Sequence, residues 1–195
     1  MNKAEIMMEA LRAFNRKERY HVLREAVIGG PMTLTRAFRE KLKSVLDWKA
    51  DIPEDAFVAM DYHLDWISAA YHMGAKGISV TESDSRFKSR PNSKSAPVIT
   101  GNIEDVDLLV AYPEGDRVVL ICIEAKADAE WDENQLASKG ERLRSILGAE
   151  RSSARLVHPF FVLMGPAKRP CFRGKINEND ESFPSFFFYW KRKSA

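Results

Sequence analysis

One stretch of the chain decides the fold, and it reads Arg117-Val118-Val119-Leu120-Ile121-Cys122-Ile123-Glu124-Ala125-Lys126. Its run of β-branched and aliphatic residues predicts a buried strand. The strand ends in a carboxylate and an amine two positions apart. Because alternate side chains of a strand share one face, we expect Glu124 and Lys126 to point the same way.

A second apolar segment lies just upstream, and we expect it to pair with the first. Residues 106–112 carry one acid, Asp107, in an otherwise core-like pattern, and residues 113–116 (Pro-Glu-Gly-Asp) have the composition of a turn. The two segments are therefore predicted to form a hairpin. Asp107, Glu124 and Lys126 then lie on mostly buried strands, where a charge is costly unless it is paired or binds a metal.

Length, charge and cysteine content limit the class of protein. The 195 residues suit one domain with a substantial core, and the net charge of +2 excludes a uniformly basic nucleic-acid coat. The two cysteines, Cys122 and Cys171, argue against a disulfide framework. The N-terminus lacks the apolar core of a signal peptide, and no apolar run approaches the roughly 20 residues that span a bilayer. We expect a soluble cytoplasmic protein without membrane partners.

The order of predicted elements indicates an α/β fold. Residues 1–50 are predicted to be a helical extension and residues 51–195 the core, within a single compact domain. The core is predicted to begin with a helix over 54–73 and a short strand over 77–81, followed by a long loop. Elements predicted beyond the hairpin are a helix over 133–147, capped by Asp132, a strand over 158–166 and a last strand over 186–190. The hairpin is antiparallel and the strands flanking the second helix are parallel, so the sheet is mixed, with helices on its faces.

Two carboxylates on paired strands suggest a metal site. Both cannot stay ionised cheaply in a dry sheet, and a hard divalent cation offsets their repulsion. Asp107 and Glu124 are a candidate Mg²⁺ pair, with the main-chain carbonyl of Ala125 as a further ligand. Lys126 would orient or deprotonate an attacking water and offset charge on a phosphate, which describes phosphodiester hydrolysis. The alternative is an ordinary ion pair at the strand ends.

Asp107 followed by Glu124-Ala125-Lys126 on consecutive strands resembles the motif of the PD-(D/E)XK nuclease superfamily. The resemblance covers residues 53–166 and departs from the motif at Val106, which stands where the eponymous proline would be. It implies a restriction-endonuclease-like core with the element order αβββαβ. It also implies that Asp107 and Glu124 bind Mg²⁺, with Mn²⁺ as a substitute, and that Lys126 is the catalytic amine.

The same resemblance implies two further kinds of site residue. Members often add an acid from the first core helix, for which Asp61 fits best and Asp65 and Glu18 are rivals. They also often place a polar residue on the helix after the motif, here Gln135, with Lys139 one turn later. Gln135 and Lys139 would both reach a phosphate. Alternatively, both are ordinary solvent-facing residues of the helix.

The function implied is a metal-dependent nuclease that hydrolyses DNA. Positive charge for the phosphate backbone is expected from the long loop, at Arg86, Lys88 and Arg90. A second hypothesis is a nuclease-like module that binds nucleic acid or a protein without catalysis. A third is an unrelated α/β domain, in which Asp107 and Glu124 would lie far apart. Three questions stay open. They are whether the substrate is DNA or RNA, whether the enzyme is an endonuclease or an exonuclease, and whether the protein is a homodimer or a monomer.

Overall fold

The computed structural model describes residues 1–15, 17–80, 104–126, 132–147, 156–165 and 187–191, the last of these by backbone alone. The helices are α1 (Lys3–Phe14), α2 (Glu18–Leu23), a π-helical turn that continues α2 (Arg24–Ile28), α3 (Arg36–Val45), α4 (Leu64–Lys76) and α5 (Glu133–Leu147). The strands are β1 (Phe57–His63), β2 (Asp105–Glu114), β3 (Arg117–Ala125), β4 (Val157–Gly165) and β5 (Phe187–Lys191). No helix among these residues is long and apolar enough to cross a membrane.

Five strands form one mixed sheet in the order β1-β2-β3-β4-β5. The pairs β1–β2 and β2–β3 are antiparallel, whereas β4 runs parallel to β3 and β5 runs parallel to β4. The predicted hairpin and the parallel pair that flanks α5 are both confirmed. The α/β class with a mixed sheet between helices is therefore confirmed as well.

The hairpin between β2 and β3 turns within two residues. Glu114 pairs with Arg117, which leaves Gly115 and Asp116 in the loop. Gly115 has φ 59° at the first loop position, a conformation that glycine adopts without a steric penalty. This short turn fixes the register of every residue pair along the two strands.

Helices cover both faces of the sheet, and the first 50 residues supply some of them on each side. On one face α1, α4 and α5 pack against residues that include Leu109, Leu120 and Cys122, whose thiol is buried in the middle of β3. On the other face α3 packs against a smaller core that includes Val110 and Ile121. The region predicted as an extension thus shares its hydrophobic cores with the strands.

A glycine allows α1 and α4 to approach closely. A Cβ placed on Gly74 would lie 2.8 Å from the Cβ of Met7 and 2.9 Å from the carbonyl oxygen of Lys3. Both distances are too short for any larger side chain. The contact holds α1 against the helix that follows β1.

The prediction for residues 54–73 is partly wrong. Residues 57–63 form β1 and the helix begins only at Leu64, so a strand precedes the helix. The predicted strand over 77–81 is absent from its described part, residues 77–80, which contain no strand. Apolar residues at positions 57, 60 and 64 have helical spacing, but β1 pairs with β2 along most of its length. Pairing across the sheet therefore overrides the local pattern.

Candidate functional site

Asp107 and Glu124 occupy facing positions on neighbouring strands. The pairs between β2 and β3 extend from Glu114 and Arg117 to Leu108 and Ile123, and the two acids are the next residue on each strand. Side chains opposite each other in an antiparallel pair share a face, with Cβ atoms about 4.5–5.5 Å apart. Both acids therefore lie at the end of the sheet face that α1, α4 and α5 cover. The charge of Asp107 also acts on the carboxyl group of Glu124, so the two acids are neighbours.

Glu124 is buried beside a lysine. It is only 5% exposed, and its Oε1 accepts a hydrogen bond of 2.7 Å from the Nζ of Lys139, which is also 5% exposed. Burial raises the pKa of Glu124 to about 7, although Lys139 opposes that rise and the nearby Asp107 adds to it. The carboxyl group therefore changes charge near neutral pH.

Lys139 is held from two sides. Besides Glu124, its Nζ donates a 2.7 Å hydrogen bond to the main-chain oxygen of Asp105, the first residue of β2. Among the residues whose side chains are described, Glu124 and Lys139 are the charged ones that are buried. The alternative that Lys139 faces solvent is wrong, because its side chain is buried. That Lys139 reaches a phosphate stays a prediction.

Asp107 closes the ladder between β2 and β3. Its Oδ2 accepts a 2.6 Å hydrogen bond from the backbone N–H of Ala125, where a main-chain oxygen would otherwise continue the pairing. The N–H and C=O of one strand residue point toward the same neighbouring strand. The carbonyl of Ala125, predicted as a metal ligand, therefore leaves β3 on the side where Asp107 lies.

Lys126 follows directly after β3 and is half-buried. Its backbone N–H donates a 2.9 Å hydrogen bond to the oxygen of Met164 on β4, which fixes the position of the residue although the strand has ended. Its positive charge favours the ionised form of Glu124. Within the described part of the chain, Lys126 belongs to none of the ion pairs, and the ion-pair partner of Glu124 is Lys139.

Asp61 lies on β1, so its predicted place on a helix is wrong. The pairs on either side of it, Met60 with Leu108 and Tyr62 with Val106, put it level with Asp107. Three acids thus form a row across β1, β2 and β3. Asp61 reaches this row through strand pairing, which local periodicity does not reveal.

The backbone of Asp61 is in an unusual conformation. Its φ is 49°, in the left-handed region that few side chains favour. The side chains of Ala59 and Tyr62 contact the same hydrophobic core, although strict alternation would place them on opposite faces. The carboxylate of Asp61 is turned toward Arg19, with Oδ2 3.4 Å from Nη1.

Gln135 is an exposed residue in the first turn of α5. The helix begins as predicted, because Asp132 Oδ1 accepts hydrogen bonds from the N–H groups of Asn134 (2.9 Å) and Gln135 (3.2 Å). The rival acid Glu18 is exposed at the start of α2. The other rival, Asp65, pairs with Arg142 of α5. Three predicted phosphate-binding residues lie outside the described residues, namely Arg86, Lys88 and Arg90.

A cluster of charges beside the acids was not predicted from the sequence. Asp105 receives a 2.5 Å hydrogen bond from Lys17, and its other oxygen lies 3.5 Å from Nε2 of His63. Glu104 accepts a 3.0 Å hydrogen bond from Ser138 of α5. The cluster ties the start of β2 to its surrounding helices. The one feature of the sequence that could have indicated this cluster is that two consecutive acids precede an apolar strand.

The oxygen atoms available at the row of acids suit a hard cation that takes only some of its ligands from the protein. Two carboxylates and a carbonyl are oxygen ligands, and Mg²⁺ commonly binds one or two carboxylates and completes its octahedron with water and phosphate. Among the described residues, no group of three or more His, Cys, Asp or Glu side chains is placed to hold a metal. Asp107 and Glu124 therefore fit a two-carboxylate site, and Asp61 does not complete a third ligand in this conformation.

The chain was compared with protein-family models, with curated proteins and with solved structures, and no match was found in any of the three comparisons.

Proposed function

We propose that this protein is a Mg²⁺-dependent nuclease that hydrolyses phosphodiester bonds of DNA. The observation that carries the proposal is the facing position of Asp107 and Glu124 on paired strands, with Lys126 directly after the second strand. An acid pair with an adjacent amine at the end of a buried strand is the arrangement implied by the resemblance to the PD-(D/E)XK nucleases.

The order of elements supports the same proposal. The described elements run β1-α4-β2-β3-α5-β4, which shares the two paired strands, the helix and the following strand with the αβββαβ core and departs from it at α4, between the first two strands. The first three strands form an antiparallel meander, and the fourth is parallel to the third. A restriction-endonuclease-like core would place its catalytic residues on β2 and β3, where the acids lie.

Each residue has a role that its surroundings favour. Asp107 and Glu124 hold the cation, which supplies Lewis-acid chemistry at the scissile phosphate. The Lys126 amine orients the attacking water and offsets the negative charge that builds on the phosphate oxygens. Gln135, exposed on α5, is a proposed contact to the DNA backbone, and so are Arg86, Lys88 and Arg90, which lie outside the described residues.

Cleavage assays with a matched control test the proposal. Purified protein with Mg²⁺ or Mn²⁺ is expected to cut at least one of single-stranded, double-stranded, nicked or branched DNA, and Lys126→Met is expected to reduce the rate by at least about 100-fold. Lys41→Met removes the same charge from an exposed position on α3 and should leave the rate unchanged. Intact DNA in every assay, or equal rates for Lys126→Met and the parent, would count against a nuclease.

The pairing of Glu124 with Lys139 favours a second candidate, a non-catalytic module that binds nucleic acid or a protein. A lysine that neutralises one of the two acids allows the fold to exist without a cation. Such a module should bind no Mn²⁺ at these acids. Calorimetric titration separates the candidates, because only the nuclease should show Mn²⁺ binding that Asp107→Asn abolishes.

A further inference from the structure

We infer that Lys139 is a positioning residue that acts through Glu124, competing with the divalent cation for this carboxylate and keeping the cation affinity of the free protein low. The inference rests on the proposed function, because it concerns the same pair of acids. It gives Lys139 a role that differs from contact with a phosphate.

The geometry places the Lys139 amine where a cation bound by Glu124 would meet it. Nζ lies 2.7 Å from Oε1 of Glu124 and 2.7 Å from the main-chain oxygen of Asp105. The side chains of Glu124 and Lys139 are each 7% exposed, so water screens the amine weakly. Because Glu124 on β3 and Asp105 on β2 hold the amine from two sides, it cannot withdraw without losing both hydrogen bonds.

The charges around the acids already balance. With both carboxylates ionised, Asp107 and Glu124 contribute two negative charges, and Lys126 and Lys139 contribute two positive ones. The third acid of the row, Asp61, has Arg19 as its partner. A divalent cation entering this group meets no net attraction, and two positive charges within about 4 Å of the same carboxylate repel each other by several kcal/mol even at an intermediate dielectric constant. Tight binding of the cation alone is therefore not expected.

A phosphodiester would restore the missing negative charge. Its phosphate oxygens can complete the coordination shell of Mg²⁺ and offset the charge of the two lysines at the same time. The substrate and the cation should consequently bind together, each strengthening the binding of the other. Without the charge of Lys139, binding of the cation should depend less on the presence of the phosphate.

The test is a calorimetric titration with Mn²⁺ alone, at pH 8, on four forms of the full chain. These are the parent, Lys139→Met, Lys17→Met and the double variant with Asp107→Asn and Lys139→Met. Lys17→Met is the matched control, since Lys17 pairs with Asp105 but not with Glu124 and its loss changes the net charge equally. Lys139→Met is expected to bind Mn²⁺ at least about tenfold more tightly than the parent and the control. The double variant is expected to lose this binding.

The outcomes separate the inference from the proposed function. Equal Mn²⁺ affinity in the parent and Lys139→Met, with no binding by the double variant, overturns the inference and leaves the nuclease proposal standing. Weaker binding by a folded Lys139→Met also overturns it, because Lys139 would then help to bind the cation. Absence of binding in every form, Lys139→Met included, overturns the inference, and the cleavage assays then decide the nuclease proposal. If Lys139→Met does not fold, Lys139→Gln retains hydrogen-bond donors without the charge and should show the same gain, whereas Lys139→Arg should bind as the parent does.

Discussion

At the scale of single residues, Asp61 combines a predicted chemical role with a conformational cost. Sequence reasoning selected Asp61 as a companion to Asp107, and the structure places the two level on neighbouring strands. The reason was wrong, because Asp61 was assigned to a helix. Its positive φ has no signature in the sequence, since it arises where a strand must bring Ala59 and Tyr62 to the same core.

Substitutions at Asp61 should reveal the strain of the left-handed conformation. Asn tolerates positive φ and has the same shape, so Asp61→Asn should stay within about 0.5 kcal/mol of the parent in free energy of unfolding. Asp61→Val introduces a β-branched side chain and should cost about 1–2 kcal/mol. Urea unfolding measures both variants. Equal stabilities for Asn and Val would show that this backbone is not strained.

Glu124 should make stability depend on pH. Burial raises the pKa of this carboxyl to about 7 in the folded protein, above its value in the unfolded chain. Between about pH 4.5 and 7 the folded state therefore binds more protons than the unfolded state, and the free energy of unfolding falls as pH rises. The stability that Glu124 contributes is fully present below this range and is lost as the pH approaches 7.

Comparison with Glu124→Gln isolates this effect. The amide cannot titrate, so the melting temperature of the parent minus that of Glu124→Gln should decrease from pH 5 to pH 8. The corresponding free-energy difference is on the order of a few kcal/mol. A difference that is constant with pH would mean that Glu124 titrates near its usual pKa in the folded protein. Scanning calorimetry in buffers of equal ionic strength provides the measurement.

At the scale of elements, local signals predicted some segments well and confused others. The hairpin follows from two apolar runs and a turn containing Gly115, all close together in sequence. The boundary between β1 and α4 was missed because positions 57, 60 and 64 suit either structure. The burial of Lys139 was missed for a different reason, since its partners on β2 and β3 lie far from it in sequence.

The contact between α1 and α4 should depend on the absence of a side chain at Gly74. A methyl group there would meet Met7 and the backbone of Lys3 at under 3 Å, which forces the helices apart. Gly74→Ala should therefore lower the free energy of unfolding by about 1–3 kcal/mol, despite the better helix propensity of Ala.

Gly30→Ala provides the control for this change. Nothing lies within 4 Å of a Cβ on Gly30, so the same substitution should alter stability little. Urea unfolding of both variants at one pH compares them directly. A Gly74→Ala protein as stable as the parent would contradict the close approach of α1 and α4.

At the scale of the whole molecule, the sheet decides which charges meet. Residues 61, 107 and 124 are separated widely in sequence and lie in one row because β1, β2 and β3 pair in order. The pair Asp107 and Glu124 could be anticipated, because it needs only the hairpin. The enclosing charges of Lys17, Lys139 and Arg142 could not, because they depend on how α4, α5 and the segment before α2 dock around the start of β2.

The buried thiol of Cys122 offers a way to observe the sheet opening. The residue lies in the middle of β3, which has a neighbouring strand on each side, and burial raises the pKa of its thiol well above the usual range. A thiol reagent should react with Cys122 only in molecules whose central strand has separated from its neighbours. In a Cys171→Ser background, the labelling rate should rise with urea in parallel with global unfolding.

A labelling rate that does not respond to urea would instead indicate access through local fluctuations. With the expected response, the ratio of the labelling rate in the native protein to that in the unfolded chain gives the equilibrium constant for opening. One sulfur atom at the centre of the sheet would thus serve as a chemical probe of how often the whole α/β core comes apart under native conditions.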